Sequence, residues 1–269
     1  MAPLVVVLIP VHGDARQLEV TLGSLLAATL PARLCTLIVD DGSEPPLALD
    51  AARYAPLGLE LIRSPRNEGI ARALNRGLER ARGLGAGYVA RLDALDTVDP
   101  ERLMKQLAYL EAHPDAGLVA SDVLFIGEDG KPQFRFEAPR TDAQVRRRMP
   151  ISCCLIHPSV MMRMRALETA GGYSTEYAAA EDYELFFRLL GHASAAALPE
   201  ALTTAVTSRA GISATRRRAQ LRSKLRVQWR YFDPARPQSY LGVTLTLLLF
   251  IVPSPLLGFL KRVAGVTRY

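Results

Sequence analysis

Through the first 120 residues, short apolar runs alternate with stretches in which apolar positions recur every three or four residues. Leu4–Ile9, Cys35–Val39, Glu60–Arg63 and Tyr88–Leu92 read as strands. Between them Leu18, Leu22, Leu25 and Leu26 keep helical spacing, as do Ile70, Leu74, Gly77, Leu78 and Ala81. Nearly continuous apolar strands separated by helices predict an α/β fold, a mostly parallel sheet with helices on both faces. In such sheets the ligand crevice lies beyond the carboxyl ends of the strands. Asp40, Asp41, Asp93 and Asp96 all fall there.

The pattern then changes. A helix is predicted from Asp99-Pro100 to about His113, where Pro114 and Gly117 stop it. Leu118–Ile126 and Gln133–Glu137 form an expected hairpin around residues 128–131. Thr141-Asp-Ala-Gln144 has the spacing of a capping box. A last strand is expected near Thr203–Thr207. The expected division is a domain over 1–210, with halves at about 1–117 and 118–210, and a helical tail over 211–269.

Composition supports a sizeable core, since 49% of the residues are hydrophobic. Cys35, Cys153 and Cys154 are odd in number and lack metal-type spacing, so reduced thiols in the cytosol are expected. The first ten residues have no basic n-region, and no signal peptide is expected. Charge is unevenly spread. From Arg209 onward, ten Arg and two Lys face one acid, Asp233, whereas residues 1–208 carry 21 basic and 26 acidic groups. An acidic body with a basic tail points to an anionic surface as the tail's partner.

Five segments, in order and at ordinary separations, carry a family likeness: "VVVLIPVHG", "LIVDDGS", "NEGIARALNRGLERARG", "ARLDALD", and "HPSVMMR" with "GGYSTEYAAAEDYELFFRL". Together they resemble the family 2 glycosyltransferases, which have a Rossmann-like A-type fold, over about residues 4–210. His12 and Gly13 depart from the family's Pro-Val-Tyr-Asn turn. The resemblance implies an enzyme that moves a sugar from a nucleotide donor, a UDP-sugar, to an acceptor hydroxyl with inversion. Surface polysaccharide or glycolipid assembly in bacteria is the implied setting.

The implied roles have competing structural readings. Asp41 can accept the N3–H of a uracil ring while Asp40 braces the turn, yet Asp-Asp-Gly-Ser is also ordinary turn chemistry. Backbone amides at Asn67–Gly69, helped by Arg72, suit a diphosphate, or simply start a capped helix. Pro10, Asn75 and Asp93 complete the implied nucleotide-sugar set. Asp182 matches the family's general base, which takes the acceptor's proton as its oxygen attacks the anomeric carbon. An acid in a helix's first turn is favoured by the dipole in any case. Glu181 and His157 are implied on the acceptor side, although a lone histidine before Pro158 also reads as structural.

A further departure from the family pattern bears on the chemistry. The acid that usually binds the metal falls on Leu95, which cannot coordinate a hard cation. Mg²⁺ or Mn²⁺ on Asp93 and Asp96, with a small shift of the loop, is the expectation. Two alternatives stand beside it: arginines such as Arg72 or Arg91 carrying the leaving-group charge, or a non-catalytic nucleotide-binding or scaffolding protein of the same fold.

The tail couples an Arg-rich stretch to an uncharged run, Tyr240 to Leu260, interrupted by Pro253-Ser-Pro255 and followed by Lys261-Arg262. Basic flanks on both sides predict an interfacial or re-entrant segment, residues 211–262 lying on an anionic membrane at its cytoplasmic face. A homodimer-forming tail and a conventional span compete with that reading. No nucleic-acid partner is expected, because the acidic body would repel a duplex. A lipid-linked or glycan acceptor would account for the tail.

Overall fold

The computed structural model describes residues 2–13, 15–29, 31, 33–207 and 217–251. The chain runs β1 (Leu4–Val11), α1 (Ala15–Leu26), β2 (Leu34–Asp40), β3 (Leu59–Arg63), α2 (Ile70–Gly83), β4 (Ala86–Arg91), β5 (Thr97–Val98), α3 (Arg102–Ala112) and β6 (Ala116–Gly127). It continues through β7 (Pro132–Phe136), α4 (Asp142–Arg148), β8 (Met161–Arg163), α5 (Met164–Ala170), α6 (Glu181–Leu190), β9 (Ser194–Thr207), α7 (Arg217–Arg230) and α8 (Pro237–Ile251). The expected strands and helices of the first 120 residues are present, each within a few residues of its predicted ends.

Among the described residues, nine strands form one sheet in the order β3-β2-β1-β4-β8-β6-β9-β5, with β7 paired to β6. β1 lies parallel to β2 and β4, and β2 parallel to β3. Beyond β4 the sheet is mixed: β8 runs antiparallel to both neighbours, β7 and β5 are also antiparallel, and β6 pairs with β9 in parallel. The parallel character predicted for the sheet therefore belongs to its first half. The predicted last strand, Thr203–Thr207, is the end of a much longer one that starts at Ser194.

Strand period sorts β1 between two cores. Val6 and Leu8 join Leu37, Val39, Leu74 and Leu78 under α2, α5 and α6. Val5, Val7 and Ile9 join Leu18, Leu22, Leu25 and Leu103 under α1 and α3. Burial of each such side chain contributes about 1.5–3 kcal/mol, so the sheet needs helices on both faces. The carboxyl ends of β1, β2 and β4 consequently emerge together at one edge.

At the α4 N-terminus Thr141 Oγ accepts from Gln144 N, as the capping box predicts. The return bond differs by one residue, with Gln144 Oε1 accepting from Arg140 N at 2.9 Å. Within the expected tail, the described residues form the helices α7 and α8. None of the described helices is long and apolar enough to cross a membrane. The predicted run from 252 onward, with Pro253, Pro255, Lys261 and Arg262, lies outside the described residues.

Candidate active site

β2 ends on the two acids. Asp40 is fully buried and accepts from Ser43 N at 2.8 Å, with Arg63 Nη1 at 3.4 Å. It braces the turn. Asp41 points across to the start of α2, where its two carboxylate oxygens accept from Glu68 N (3.0 Å) and Gly69 N (2.8 Å). Asn67 Oδ1 accepts from the same Gly69 amide at 3.1 Å. Asp41 thus fixes the 67–69 loop, and its remaining lone pairs are what a base N–H could reach. The two loops meet at Gly42, whose φ is +74°. A Cβ there would lie 2.3 Å from the Arg66 carbonyl carbon, so only glycine allows this approach.

Pro10 lies in β1 opposite Val39 of β2. Arg72 is exposed in the first turn of α2 with no side-chain hydrogen bond or ion pair to the described residues. It is free to meet an anion. Asn75, implied as a nucleotide contact, does something else. Its Nδ2 donates to Tyr173 O (2.7 Å), and its Oδ1 accepts from Tyr173 N (2.8 Å). Both ends of the amide are occupied, so Asn75 is a clamp between α2 and the turn that follows Gly171-Gly172.

The end of β4 supplies the densest group of charges. Arg91 is 1% exposed and donates Nη2 to Asp93 Oδ1, while its Nε and Nη1 are buried without a hydrogen-bond partner among the described residues. Arg102, equally buried, donates to the Arg91 carbonyl at 2.9 Å and to Gln106 Oε1 at 3.1 Å. Burial pulls the Arg102 pKa down to about 9. Two buried cations make this edge of the sheet electropositive underneath, which favours an anionic ligand above it.

Asp93 and Asp96 are not equivalent. The Asp93 side chain is 42% exposed, whereas Asp96 is buried and accepts from Val206 N at 3.2 Å. Burial and the neighbouring Asp93 charge push the Asp96 carboxyl up to about 8. The expectation of Asp96 as a metal ligand is therefore corrected: its carboxyl is turned into the protein and serves β9. Thr21 Oγ1 donates to the Asp96 carbonyl at 2.8 Å, and Leu95 N to Gln17 O at 3.0 Å, so α1 fixes the loop's path. Leu95 sits at φ +80°, a left-handed conformation costly for a branched side chain.

Among the described residues no three His, Cys, Asp or Glu side chains are grouped to hold a metal ion. One exposed carboxylate still fits Mg²⁺ or Mn²⁺, which takes one or two carboxylates plus substrate phosphates. Asp93 would hold it, and the ion would neutralise charge on a departing nucleotide.

The candidate base opens α6. Asp182 is half-buried, and its Oδ1 accepts from Tyr183 N at 2.7 Å. Burial raises its pKa to about 6, against the lowering effect of that backbone bond and of the Arg91 charge. Glu181, 6% exposed with Oε2 unpartnered among the described residues, is raised to about 7 by burial and by Asp182. The charges of Arg91 and Asp93, at the end of β4, both act on this acid pair. His157 is buried in the turn before β8, with Nε2 2.7 Å from Tyr173 Oη. Burial and the Arg91 charge hold it neutral. That places His157 behind the site, bonded to Tyr173. Tyr173 lies in the quoted segment that opens at Gly171, but within it only the two preceding glycines hinted at a structural turn.

The chain matches the model of glycosyl transferase family 2 over residues 6–171. It is 33% identical over 189 residues to the amylovoran biosynthesis glycosyltransferase AmsE of Erwinia amylovora, covering 69% of each chain. The putative glycosyltransferase EpsE of Bacillus subtilis is 29% identical over 191 residues, covering 69% of this chain and 66% of that one. Among solved structures, S. aureus TarS 1–349 in complex with UDP-GlcNAc superposes with a TM-score of 0.66 at 17% identity, over 91% of this chain and 71% of that one. The mannosyltransferase PcManGT of Pyrobaculum calidifontis, in complex with GDP-Man and Mn²⁺, gives 0.65 at 18% identity, over 99% and 81%. The fold is shared with both structures, and the matched segment spans β1 to the Gly171 turn. The chain belongs to glycosyl transferase family 2.

Proposed function

We propose that this protein is an inverting glycosyltransferase that moves a sugar from a UDP-sugar to an acceptor hydroxyl. Asp182 accepts the hydroxyl proton, the acceptor oxygen forms a bond to the anomeric carbon, and the bond from that carbon to the diphosphate oxygen breaks. The electron pair leaves on UDP. A single displacement of this kind needs one base and a stabilised leaving group, with no second carboxylate as nucleophile. Asp41 and the 67–69 loop receive the base and diphosphate, with Arg72 and Asp93 nearby.

What supports this reading is electrostatic: the charges of Arg91 and Asp93, at the end of β4, act on the Asp182 carboxyl in the first turn of α6. A carboxyl raised to about 6 is matched to proton transfer near neutral pH. The relatives support the donor and pathway. TarS is described with UDP and UDP-GlcNAc, and AmsE with amylovoran biosynthesis. The acceptor in this proposal is a growing glycan or lipid-linked intermediate, met at the cytoplasmic face of the membrane.

The test is UDP release from a panel of UDP-sugars, with Asp182→Asn as the control. Loss of about 10²- to 10⁴-fold in turnover with UDP binding retained supports the base. Unchanged turnover removes Asp182 from the mechanism. A wild-type chain that binds UDP but never turns over would instead be a nucleotide-binding protein of the same fold.

A further inference from the structure

α8 is packed the wrong way round for a helix of a water-facing domain. The residues it buries are Ser239, Gly242 and Thr246. Gly242 lies so close to the body that a Cβ would meet Pro150 O at 2.1 Å and Gln228 Nε2 at 2.9 Å. The outward face carries Tyr240, Leu241, Leu245, Leu247, Leu248 and Phe250, of which Leu248 is 50% exposed. A contiguous apolar face of this kind marks an interaction surface.

Charge identifies its partner. α7 contains no acid, and Arg218, Arg222, Arg226 and Arg230 are exposed at steps of four residues. Like charges at that spacing weaken a helix by about 0.2–0.5 kcal/mol per pair. None of the four forms an ion pair with the described acids. Trp229, 69% exposed, meets Phe232, which in turn meets Tyr240, so an aromatic cluster joins the two helices. Arginines, an interfacial tryptophan and an apolar face match a headgroup layer over acyl chains.

The surface also adjoins the candidate base. Arg226 Nη1 donates to the Glu176 carbonyl at 3.0 Å, in the segment leading to α6. Tyr231 stacks on Phe187 with centroids 4.6 Å apart and donates Oη to Glu184 Oε1 at 2.9 Å.

We propose that α7 and α8 form one docking surface for an anionic phospholipid bilayer, lying on it without crossing it. The docked surface holds the α6 side of the site against the membrane, where a lipid-borne acceptor hydroxyl arrives. The acceptor class rests on the transferase reading; the docking surface stands without it.

The chain's only tryptophan is Trp229, so its emission reports the surface directly. The full chain is mixed with vesicles of phosphatidylcholine, with and without phosphatidylglycerol. Expected are a blue shift and co-flotation with phosphatidylglycerol vesicles, reversed by salt. A variant combining R218Q, R222Q and R230Q should bind those vesicles about a hundredfold more weakly, at roughly fivefold per arginine. A variant combining L241Q, L245Q and L248Q should lose the blue shift. Both should retain UDP binding. Equal binding to the two vesicle types, or none, overturns the proposal. So does a wild-type dimer that the leucine variant converts to monomer without vesicle binding in either. Vesicle binding together with turnover unaffected by Asp182→Asn would retain the docking surface and sink the transferase mechanism.

Discussion

Asn75 and the backbone of Tyr173 exchange two hydrogen bonds, 2.7 and 2.8 Å long, across 98 residues of sequence. They lock the helix that starts at the candidate diphosphate loop to the turn before the candidate base. Tyr173 in turn bonds His157. One side-chain amide thereby ties α2 to the segment that leads into α6.

Asn75→Ala should cost about 2–3 kcal/mol, two hydrogen bonds at roughly 1–1.5 kcal/mol each. Denaturant midpoints at constant m-value measure it. Asn75→Asp keeps the acceptor for Tyr173 N but sets a carboxylate against Tyr173 O, so it should be no better than alanine. UDP affinity should fall less than turnover, because the Asp41 contacts remain. A selective loss of UDP binding with unchanged stability would return Asn75 to the nucleotide.

The acids of α6 give activity and stability opposite pH dependences. Asp182 works as a base only when ionised, so turnover should rise with pH through about 6 and on toward 7, as the coupled pair with Glu181 loses its protons. For stability, both folded-state pKa values are raised above their ordinary carboxyl values near 4. Between about pH 4 and pH 7 the folded chain therefore holds protons that the unfolded chain has released, and raising the pH across that window lowers stability. Asp182→Asn should flatten part of that slope. A pH-independent rate between pH 5 and 8 would count against Asp182 as the base.

Arg91 lowers the pKa of both acids while hydrogen-bonding neither. Arg91→Met should move the acidic limb of the pH–rate profile upward and weaken UDP binding, as the buried positive field is lost. Arg91→Lys keeps the charge but not the planar fork and should restore much of the limb's position. An unmoved limb in Arg91→Met would make the residue purely structural.

How much of this was legible in the sequence depends on the range of each interaction. β1, β2, β4 and the helices beside them follow from apolar periodicity, because those three strands are buried on both faces, whereas the two-residue β5 carries no such pattern. The turn at Asp40-Asp41 and the helix after Gly69 are local chemistry and were readable. The Asn75–Tyr173 clamp, the inward turn of Asp96 onto Val206 and the sealed Arg91 were not, since each pairs residues from different elements through tertiary packing. β8 and the first half of β9 escaped notice for a related reason. β8 is three residues long, and residues 194–197 (Ser-Ala-Ala-Ala) carry no strand pattern until packed beside β6.

Leu95 makes the final prediction, and it separates two ways of stabilising the leaving group. Asp93 is the exposed acid of its loop, while Arg91 and Arg102 lie buried beneath. If a cation shares the diphosphate with Asp93, chelation should abolish turnover and Mn²⁺ should restore it. Leu95→Asp then adds a carboxylate where the family usually has one, and should lower the Mn²⁺ concentration for half-maximal turnover by roughly tenfold. The substitution should not unfold the chain: aspartate tolerates a φ of +80° better than leucine does. If arginines alone carry the charge, chelator leaves turnover intact and Leu95→Asp slows it, because a new anion faces the diphosphate. The two outcomes have opposite signs in one titration of Mn²⁺ against UDP release.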